Sequence, residues 1–340
     1  LYKYTNQLEI FIKQISACID LIDKECSYYR PKSVTLKDDF RWTLQGPYDS
    51  NYSLAIVNRN FALGLKSIGV NVSIFSSEGP GDYFPDLQYL ERFPQILNLH
   101  HDSYSSKDIS EVVSRNMYPP RVNKLDAKIN LFHAYGWEET GFPSSWVDDF
   151  NTYLQGITVM STEVKKILID NGVAIPISVC GLGANHIEDI NIDHSFEIKA
   201  KKFRFLHVSS CFPRKGIDCL LNAYFQAFSK FDDVTLIIKT FKNQHNNLMD
   251  LVKKYKLRTH DFPDILVIEN DLNDSELKAL YLSCDALVAP SFGEGFGLPF
   301  AEAMFLGLPV ITTGWGGQTD FCKSENSWLI DYEFHYSKTH

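Results

Sequence analysis

Residues 285–309 read DALVAPSFGEGFGLPFAEAMFLGLP. A short apolar run, Ala286 to Ala289, stops at Pro290-Ser291. Gly293, Gly295 and Gly297 then space a turn that carries Glu294; Pro299 opens a helix holding Glu302, and Gly307-Leu308-Pro309 closes it. Strand, glycine-rich turn and helix N-terminus in that order predict a seat for an anion, because the first amides of a helix lack an intrahelical acceptor and its dipole presents a positive end. Carboxylates repel phosphate, so Glu294 and Glu302, with seven residues between them, must be directed at something else. An ionised Glu only accepts hydrogen bonds and can take two hydroxyl donors. Vicinal hydroxyls on a sugar and on a ribose are suitable partners for the two, with a diphosphate held between them on the amides of Gly295, Phe296, Gly297 and Leu298. The competing reading makes Glu302 an ordinary first-turn residue and Glu294 a solvated loop residue; the register of strand, glycines and Pro299 weighs against it.

Residues Asp285 to Val310 resemble the extended E-x7-E signature of retaining glycosyltransferases of the GT-B fold, specifically the large family 4. That pattern runs Asp-small-apolar-Pro-Ser, Glu-Gly-Phe-Gly-Leu, Glu-Ala-Met and Gly-Leu-Pro-Val, and the chain follows it almost throughout. The resemblance implies two Rossmann-like, doubly wound parallel-sheet domains facing a cleft, and it covers most of the chain from about residue 41 onward. Members of the family usually continue further, with a final helix returning to the N-terminal domain, so the chain is expected to be truncated or one module of a larger enzyme.

Bulk properties agree. Three hundred and forty residues suit two domains, and a net charge of −9 gives no sign of a nucleic-acid partner. Seven cysteines are scattered without a C-x-x-C pair, the pattern of a reduced cytoplasmic protein rather than a secreted or zinc-binding one. No apolar run approaches the roughly 20 residues of a membrane span. A signal peptide is not expected either, because Glu9, Lys13 and Asp20 interrupt the apolar pattern of the N-terminus.

Along the chain, Leu8, Ile12, Ile15, Ile19 and Ile22 recur at helical spacing, so residues 1–40 read as a helical extension and linker, with Pro31 and Ser33 at its exit. The N-terminal domain, 41–190, begins with a strand at Trp42 to Gln45, a turn at Gly46 to Ser50 and a helix over Ser53 to Ile68. Strands follow at Val70 to Phe75, at Ala127 to Phe132 leading into His133, and at Gly156 to Met160, with Ser161 capping a helix from Thr162. Asp189 to Ala200 is polar and reads as the interdomain linker. The second domain, 200–340, takes strands at Phe203 to Val208, Val234 to Ile238, Leu266 to Ile268 and Val310 to Thr312. Its helices start near Ile217 and at a capping pair, Asn273 with Glu276. Alternation of this length indicates parallel, doubly wound sheets.

Other positions carry candidate chemistry. Pro213-Arg214-Lys215-Gly216 places two cations directly before a helix, where the dipole disfavours them unless a bound diphosphate compensates; the resemblance gives Arg214 and Lys215 that role. Where the family often reads Gly-Arg early in this loop, the chain has Ser209-Ser210, so one phosphate contact is expected to be lost or replaced by hydroxyls. A His at about the place of His133 lies near the transferred sugar in the family, with a satisfied structural His as the alternative. Glu138 or Glu139 would orient an acceptor hydroxyl, and the Gly46 to Ser53 turn, with Asp49 and Ser50, would face the cleft beside donor sugar and acceptor. Lys239 and Glu269-Asn270 fall where the family's loops approach the nucleoside. His100-His101 reads as surface.

The chain contains no Asp-x-Asp, the motif by which transferases of the other major fold hold a divalent ion on the diphosphate. A metal-free and cofactor-free site is expected, with Arg214, Lys215 and the helix dipole offsetting the leaving group's charge. The resemblance implies a retaining, hexosyltransferase-type enzyme of bacterial polysaccharide or O-antigen assembly. Its donor would be GDP-mannose or a UDP-sugar and its acceptor a lipid-linked saccharide, in the cytoplasm with peripheral membrane contact. Two other classes stay open: a non-catalytic GT-B module that binds glycan or scaffolds a larger polymerase, and a nucleotide-sugar epimerase.

Overall fold

The computed structural model describes residues 40–105, 110–257 and 260–334, the helix read over Leu8 to Ile22 lying outside them. The chain divides into two compact units, Leu1–Leu182 and Gly183–His340.

In the first unit β1 (Arg41–Gln45) leads into helix α1 (Ser53–Ser67) and β2 (Asn71–Phe75). A small antiparallel hairpin, β3 (Ser77–Glu78) with β4 (Gly81–Asp82), precedes helices α2 (Leu87–Leu90) and α3 (Pro94–Ser105). Then come β5 (Val112–Arg115), β6 (Ile129–Tyr135), α4 (Ser144–Tyr153), β7 (Gly156–Val159), α5 (Thr162–Asp170) and β8 (Ile177–Val179). The six long strands pair in parallel in the order β2-β1-β5-β6-β7-β8, as the alternating pattern predicts. Alternation of burial along β1 sends Trp42 and Leu44 into a core with Leu65, Ile74, Ile96 and Leu99. Each such side chain contributes about 1.5–3 kcal/mol on burial. Ser161 caps α5 as expected, its hydroxyl accepting from the Val164 amide at 3.2 Å.

Three differences from the sequence reading have physical causes. Strand β5 has no apolar signature beyond Val112-Val113. Its Ser114 is buried because the hydroxyl accepts from Trp42 Nε1 at 2.7 Å, and Arg115 because its guanidinium reaches Gln45 Oε1 and the carbonyls of Arg121 and Asn123. Strand β6 runs on to Tyr135, so His133 lies within a strand rather than after one. His100, read as surface, is 3% exposed on α3, where Nδ1 and the Tyr48 hydroxyl are 2.6 Å apart.

In the second unit a single 3-10 turn at Asn185–Ile187 precedes β9 (Phe203–Val208), α6 (Ile217–Ala227), β10 (Val234–Lys239), α7 (Leu248–Lys256), β11 (Asp264–Ile268), α8 (Asp274–Leu282), β12 (Ala286–Ala289), α9 (Leu298–Phe305), β13 (Val310–Thr313) and β14 (Trp328–Ile330). The strands are parallel in the order β11-β10-β9-β12-β13-β14. Both faces of this sheet are covered. Leu236 and Ile238 of β10 enter one apolar cluster with α6 and α7, while Ile237 enters the other with α8 and α9. Helix α8 carries the full capping box, Asn273 accepting from the Glu276 amide and Glu276 from the Asn273 amide. The stretch read as a linker, Asp189 to Ala200, instead lays Ile190, Phe196, Ile198 and Ala200 against the core of this second unit. The division accordingly falls earlier, after Leu182; spaced apolar residues in a polar segment without a period conceal it.

Candidate active site

The strand order of the second unit reverses at β9, with β10 on one side and β12 on the other. Crevices of this kind, outside the carboxyl ends of the strands, are where open α/β sheets bind ligands. The loops leaving β9 and β12 meet there and are stitched together. The Phe292 amide donates to the Arg214 carbonyl at 2.7 Å, and Arg214 Nη1 donates to the Gly293 carbonyl at 3.2 Å. Lys215 Nζ donates to Glu294 Oε1 at 2.6 Å. Gly216 has φ +67°, and a Cβ there would lie 2.0 Å from the Pro290 carbonyl oxygen, so only glycine permits this approach. From β13's side the Gly317 amide donates to the Glu294 carbonyl at 2.7 Å.

Glu294 is 7% exposed and also accepts from Ser291 Oγ at 2.8 Å. Burial by itself would raise its carboxyl; Lys215 and Arg214 outweigh that and hold it below its ordinary value. The two cations before α6 are thus compensated in part from within the chain, by a carboxylate on the neighbouring loop. Lys215 has three N–H donors and spends one on Glu294. Gly295, Phe296, Gly297 and Leu298 follow, all buried, and Gly297 caps α9 at φ +87° with the Phe300 ring where a Cβ would stand. In the first turn of α9 Pro299 has no N–H and the Phe300 amide donates to the Gly297 carbonyl at 3.0 Å, so the Leu298 amide is the one left without an intrahelical acceptor.

Glu302, one turn into α9, is equally buried. His186 Nε2 lies 2.9 Å from Oε1, and the Tyr281 hydroxyl donates to Oε2 at 2.8 Å. The adjacent serines are used differently from a free phosphate contact. His207, fully buried in β9, donates from Nδ1 to the Val288 carbonyl at 2.8 Å, so Nε2 accepts from Ser209 Oγ at 2.7 Å. Burial pushes His207 down to about 4, which keeps it neutral and in that role. Ser209 Oγ also accepts from the Cys211 amide, where the chain turns through φ +54°. Ser210 accepts at its carbonyl from Asn243 Nδ2 at 2.9 Å. Lys239, at the end of β10, donates to the Thr240 carbonyl, and burial lowers its ammonium. Asn270, just past β11, lines an open groove of about 610 Å³ together with Phe241, Lys242, Glu269 and Asp271.

The remaining candidates lie in the first unit, around its own reversal between β1 and β5. Gly46 is irreplaceable on steric grounds, since a Cβ would lie 2.4 Å from both the Asn116 carbonyl oxygen and Asn58 Nδ2. Asn58 of α1 donates to the carbonyls of Pro47 and Asn116 at 2.8 and 3.0 Å, so its Oδ1 accepts from His133 Nε2 at 3.0 Å. His133 stacks on Phe61, is 1% exposed, and burial pushes it down to about 3. It is a neutral imidazole whose Nδ1 has no hydrogen-bond partner among the described residues. Asp49 accepts from the Tyr83 hydroxyl and the Asp86 amide, each at 2.8 Å, and the Ser50 carbonyl accepts from Arg59 Nη1 at 2.7 Å. Glu138 and Glu139 are half-buried just beyond β6.

Among the described residues no group of three or more His, Cys, Asp or Glu is placed to hold a metal ion, and no helix is long and apolar enough to cross a membrane. The structure brings Arg214, Lys215, Glu294 and the start of α9 together, and places Lys239 and Asn270 on neighbouring strand ends. Sequence reasoning missed Asn58, His186, His207, Tyr281 and Ser291. Two had a signal: Ser291 stands in the Pro-Ser of the signature, and Asn58 is a polar residue in the otherwise apolar stripe Ala55, Ala62, Leu65 of α1.

Comparison with known proteins bears on this arrangement. Residues 189–333 match the family model described as Glycosyl transferases group 1. A sucrose-phosphate synthase of Thermosynechococcus elongatus has the same fold, with a TM-score of 0.63 over 86% of each chain at 17% identity. The fold is GT-B. An uncharacterized glycosyltransferase of Methanocaldococcus jannaschii is 30% identical over 138 residues, 41% of this chain and 34% of that protein. The O-antigen chain mannosyltransferase RfbU of Salmonella typhimurium is 31% identical over 125 residues, 36% of this chain and 33% of that one. The matched stretches span about a third of these curated relatives.

Proposed function

We propose that this chain is a retaining glycosyltransferase that moves a sugar from a nucleoside-diphosphate donor to a hydroxyl of a glycan acceptor. The observation that carries the reading is the Lys215–Glu294 pair at 2.6 Å, set where the β9 and β12 loops meet before the first turn of α9. It combines a cation, a carboxylate for sugar hydroxyls, and the amides leading into a helix for a diphosphate. The match of residues 189–333 to a glycosyltransferase family model supports the same reading, as does the similarity to a mannosyltransferase.

In the reaction the C1–O bond to the diphosphate breaks with oxocarbenium character. Arg214, Lys215 and the α9 dipole stabilise the departing phosphate in place of a metal ion. The acceptor hydroxyl oxygen bonds to C1 from the face the phosphate leaves, and its proton passes to a phosphate oxygen, so configuration is retained without an enzyme nucleophile. Glu302 takes the ribose, and the groove beside Asn270 and Glu269 takes the base. GDP-mannose or a UDP-sugar is the donor class, and a lipid-linked saccharide the acceptor.

One observation favours a second reading, a non-catalytic glycan-binding or scaffolding module. The Ser209 hydroxyl, at the loop position where a phosphate contact is expected, is committed to His207 and Cys211. Thermal stability against a panel of GDP, UDP, ADP and dTDP separates the two. A ligand at 100 times its dissociation constant adds about 2.7 kcal/mol. Stabilisation by one base, reduced in Glu302→Ala, supports the transferase; stabilisation by none refutes it in favour of the module.

A further inference from the structure

Glu302 has been given the ribose, and what surrounds it specifies more than a carboxylate. Its side chain is 9% exposed and is gripped from two separate elements. His186 stands on the short 3-10 turn at the start of the second unit, and Tyr281 on the last turn of α8, itself fully buried. An ionised carboxylate only accepts, so His186 presents a protonated Nε2 to Oε1, just as the Tyr281 hydroxyl donates to Oε2. Neither oxygen takes both donors. A carboxylate offers about four lone-pair sites, two per oxygen, so each oxygen keeps room for one further donor. That residue matches a vicinal diol, one hydroxyl per oxygen, and not a single hydroxyl.

We propose that His186 and Tyr281 are positioning residues that turn Glu302 into a two-hydroxyl acceptor and so make the site select ribose over 2′-deoxyribose. The proposal rests on the nucleotide reading of the preceding subsection. Held at both oxygens, the Glu302 side chain has already lost the rotamer freedom that a long, unrestrained Glu loses only on binding, and the plane of its carboxylate is fixed before the two hydroxyls arrive. Removal of either donor frees one oxygen to rotate or to turn to the other donor. The plane of the carboxylate then no longer meets both hydroxyls.

The test is calorimetric titration of the chain with UDP and GDP and with their 2′-deoxy analogues, in wild type, His186→Leu, His186→Gln and Tyr281→Phe. The expected result is a ribose preference in wild type that falls about tenfold in His186→Leu, falls likewise in the near-isosteric Tyr281→Phe, and largely returns in His186→Gln, whose amide restores a donor. A contact that merely ties the 3-10 turn to α9 would alter melting temperature and leave the ribose preference where it was. Preference unchanged in both His186→Leu and Tyr281→Phe overturns the proposal while the nucleotide reading stands. Tighter binding in His186→Leu also overturns it, since His186 would then compete with the ribose rather than prepare for it. Failure of Gln to restore the preference overturns the donor role of His186. Absence of binding by wild type to any of the four removes the nucleotide reading and this proposal together.

Discussion

Replacing Lys215 by Met removes the cation from a carboxylate that stays buried. The two side chains are 16% and 8% exposed, with 2.6 Å between Nζ and Oε1. At an effective dielectric of about 20, unit charges at that separation attract by roughly 6 kcal/mol, and desolvation of both ions offsets much of it. Removing one partner of a buried pair costs about 3–5 kcal/mol. The lower end applies here, because Ser291 Oγ still donates to Glu294 at 2.8 Å and Arg214 still lowers its carboxyl. Lys215→Met is therefore expected to lose about 3 kcal/mol at neutral pH, a fall of about 6–12 °C in melting temperature for a unit of this size. The double variant Lys215→Met, Glu294→Gln carries no unpaired charge and is expected within about 1 kcal/mol of wild type. The pH dependence separates charge from packing. In wild type the folded Glu294 carboxyl lies below its ordinary value of 4.5, so its contribution is present above that value and is lost as pH falls through the folded one. In Lys215→Met burial lifts the carboxyl above 4.5, protonation relieves the variant as pH falls through that raised value, and the gap to wild type narrows from there downward. Urea unfolding at several pH values measures this. A gap constant from about pH 4 to 7, or none at pH 7, would falsify the argument that Lys215 holds the Glu294 charge in place.

Three further outcomes follow from the same structure. His133 and His207, pushed by burial to about 3 and about 4 from 6.5, stay neutral, so their ring NMR signals are expected to be flat between about pH 5.5 and 8. Their contribution is full above the unfolded value and is lost as pH falls from there toward the folded values, on the order of 3 kcal/mol for His207; a titration midpoint near 6.5 in either signal contradicts this. Gly216→Ala forces a left-handed backbone on a residue whose Cβ meets the Pro290 carbonyl at 2.0 Å. A loss of at least about 2 kcal/mol is expected, and a melting temperature equal to wild type would show that the loops are not in contact there. Asn58→Leu strips partners from the Pro47 and Asn116 carbonyls and from His133; it is expected to cost about 3 kcal/mol in urea unfolding, and a change under 1 kcal/mol would count against the clamp.

Much of the architecture was legible because it repeats. Short apolar runs alternating with helices of period 3.6 place β1, β2, β9, β10 and β12 within a residue or two. Segments stabilised by specific partners rather than by apolar pattern were not legible. Strand β5 is buried through Trp42–Ser114 and the Arg115 fan, α7 goes unread although its Leu248 and Val252 pack with α6, and the 189–200 stretch looks like a linker because its apolar residues keep no period. The same holds at the site. Arg214, Lys215, Glu294 and Glu302 stand out in sequence through the glycines and prolines that shape their loops. His186 and Tyr281 lie 116 and 21 positions from Glu302, a separation that no local pattern encodes. Ser209 was legible as a hydroxyl in the right loop, and only the position of His207 shows where that hydroxyl is spent.

The most direct test of the nucleotide-sugar account is a crystal structure of the chain with the nucleoside diphosphate that stabilises it most. The account expects the phosphates within hydrogen-bond reach of Lys215 and the amides opening α9, and the ribose hydroxyls on Glu302. Phosphates bound elsewhere on the chain, with Lys215 and Glu294 untouched, would contradict it.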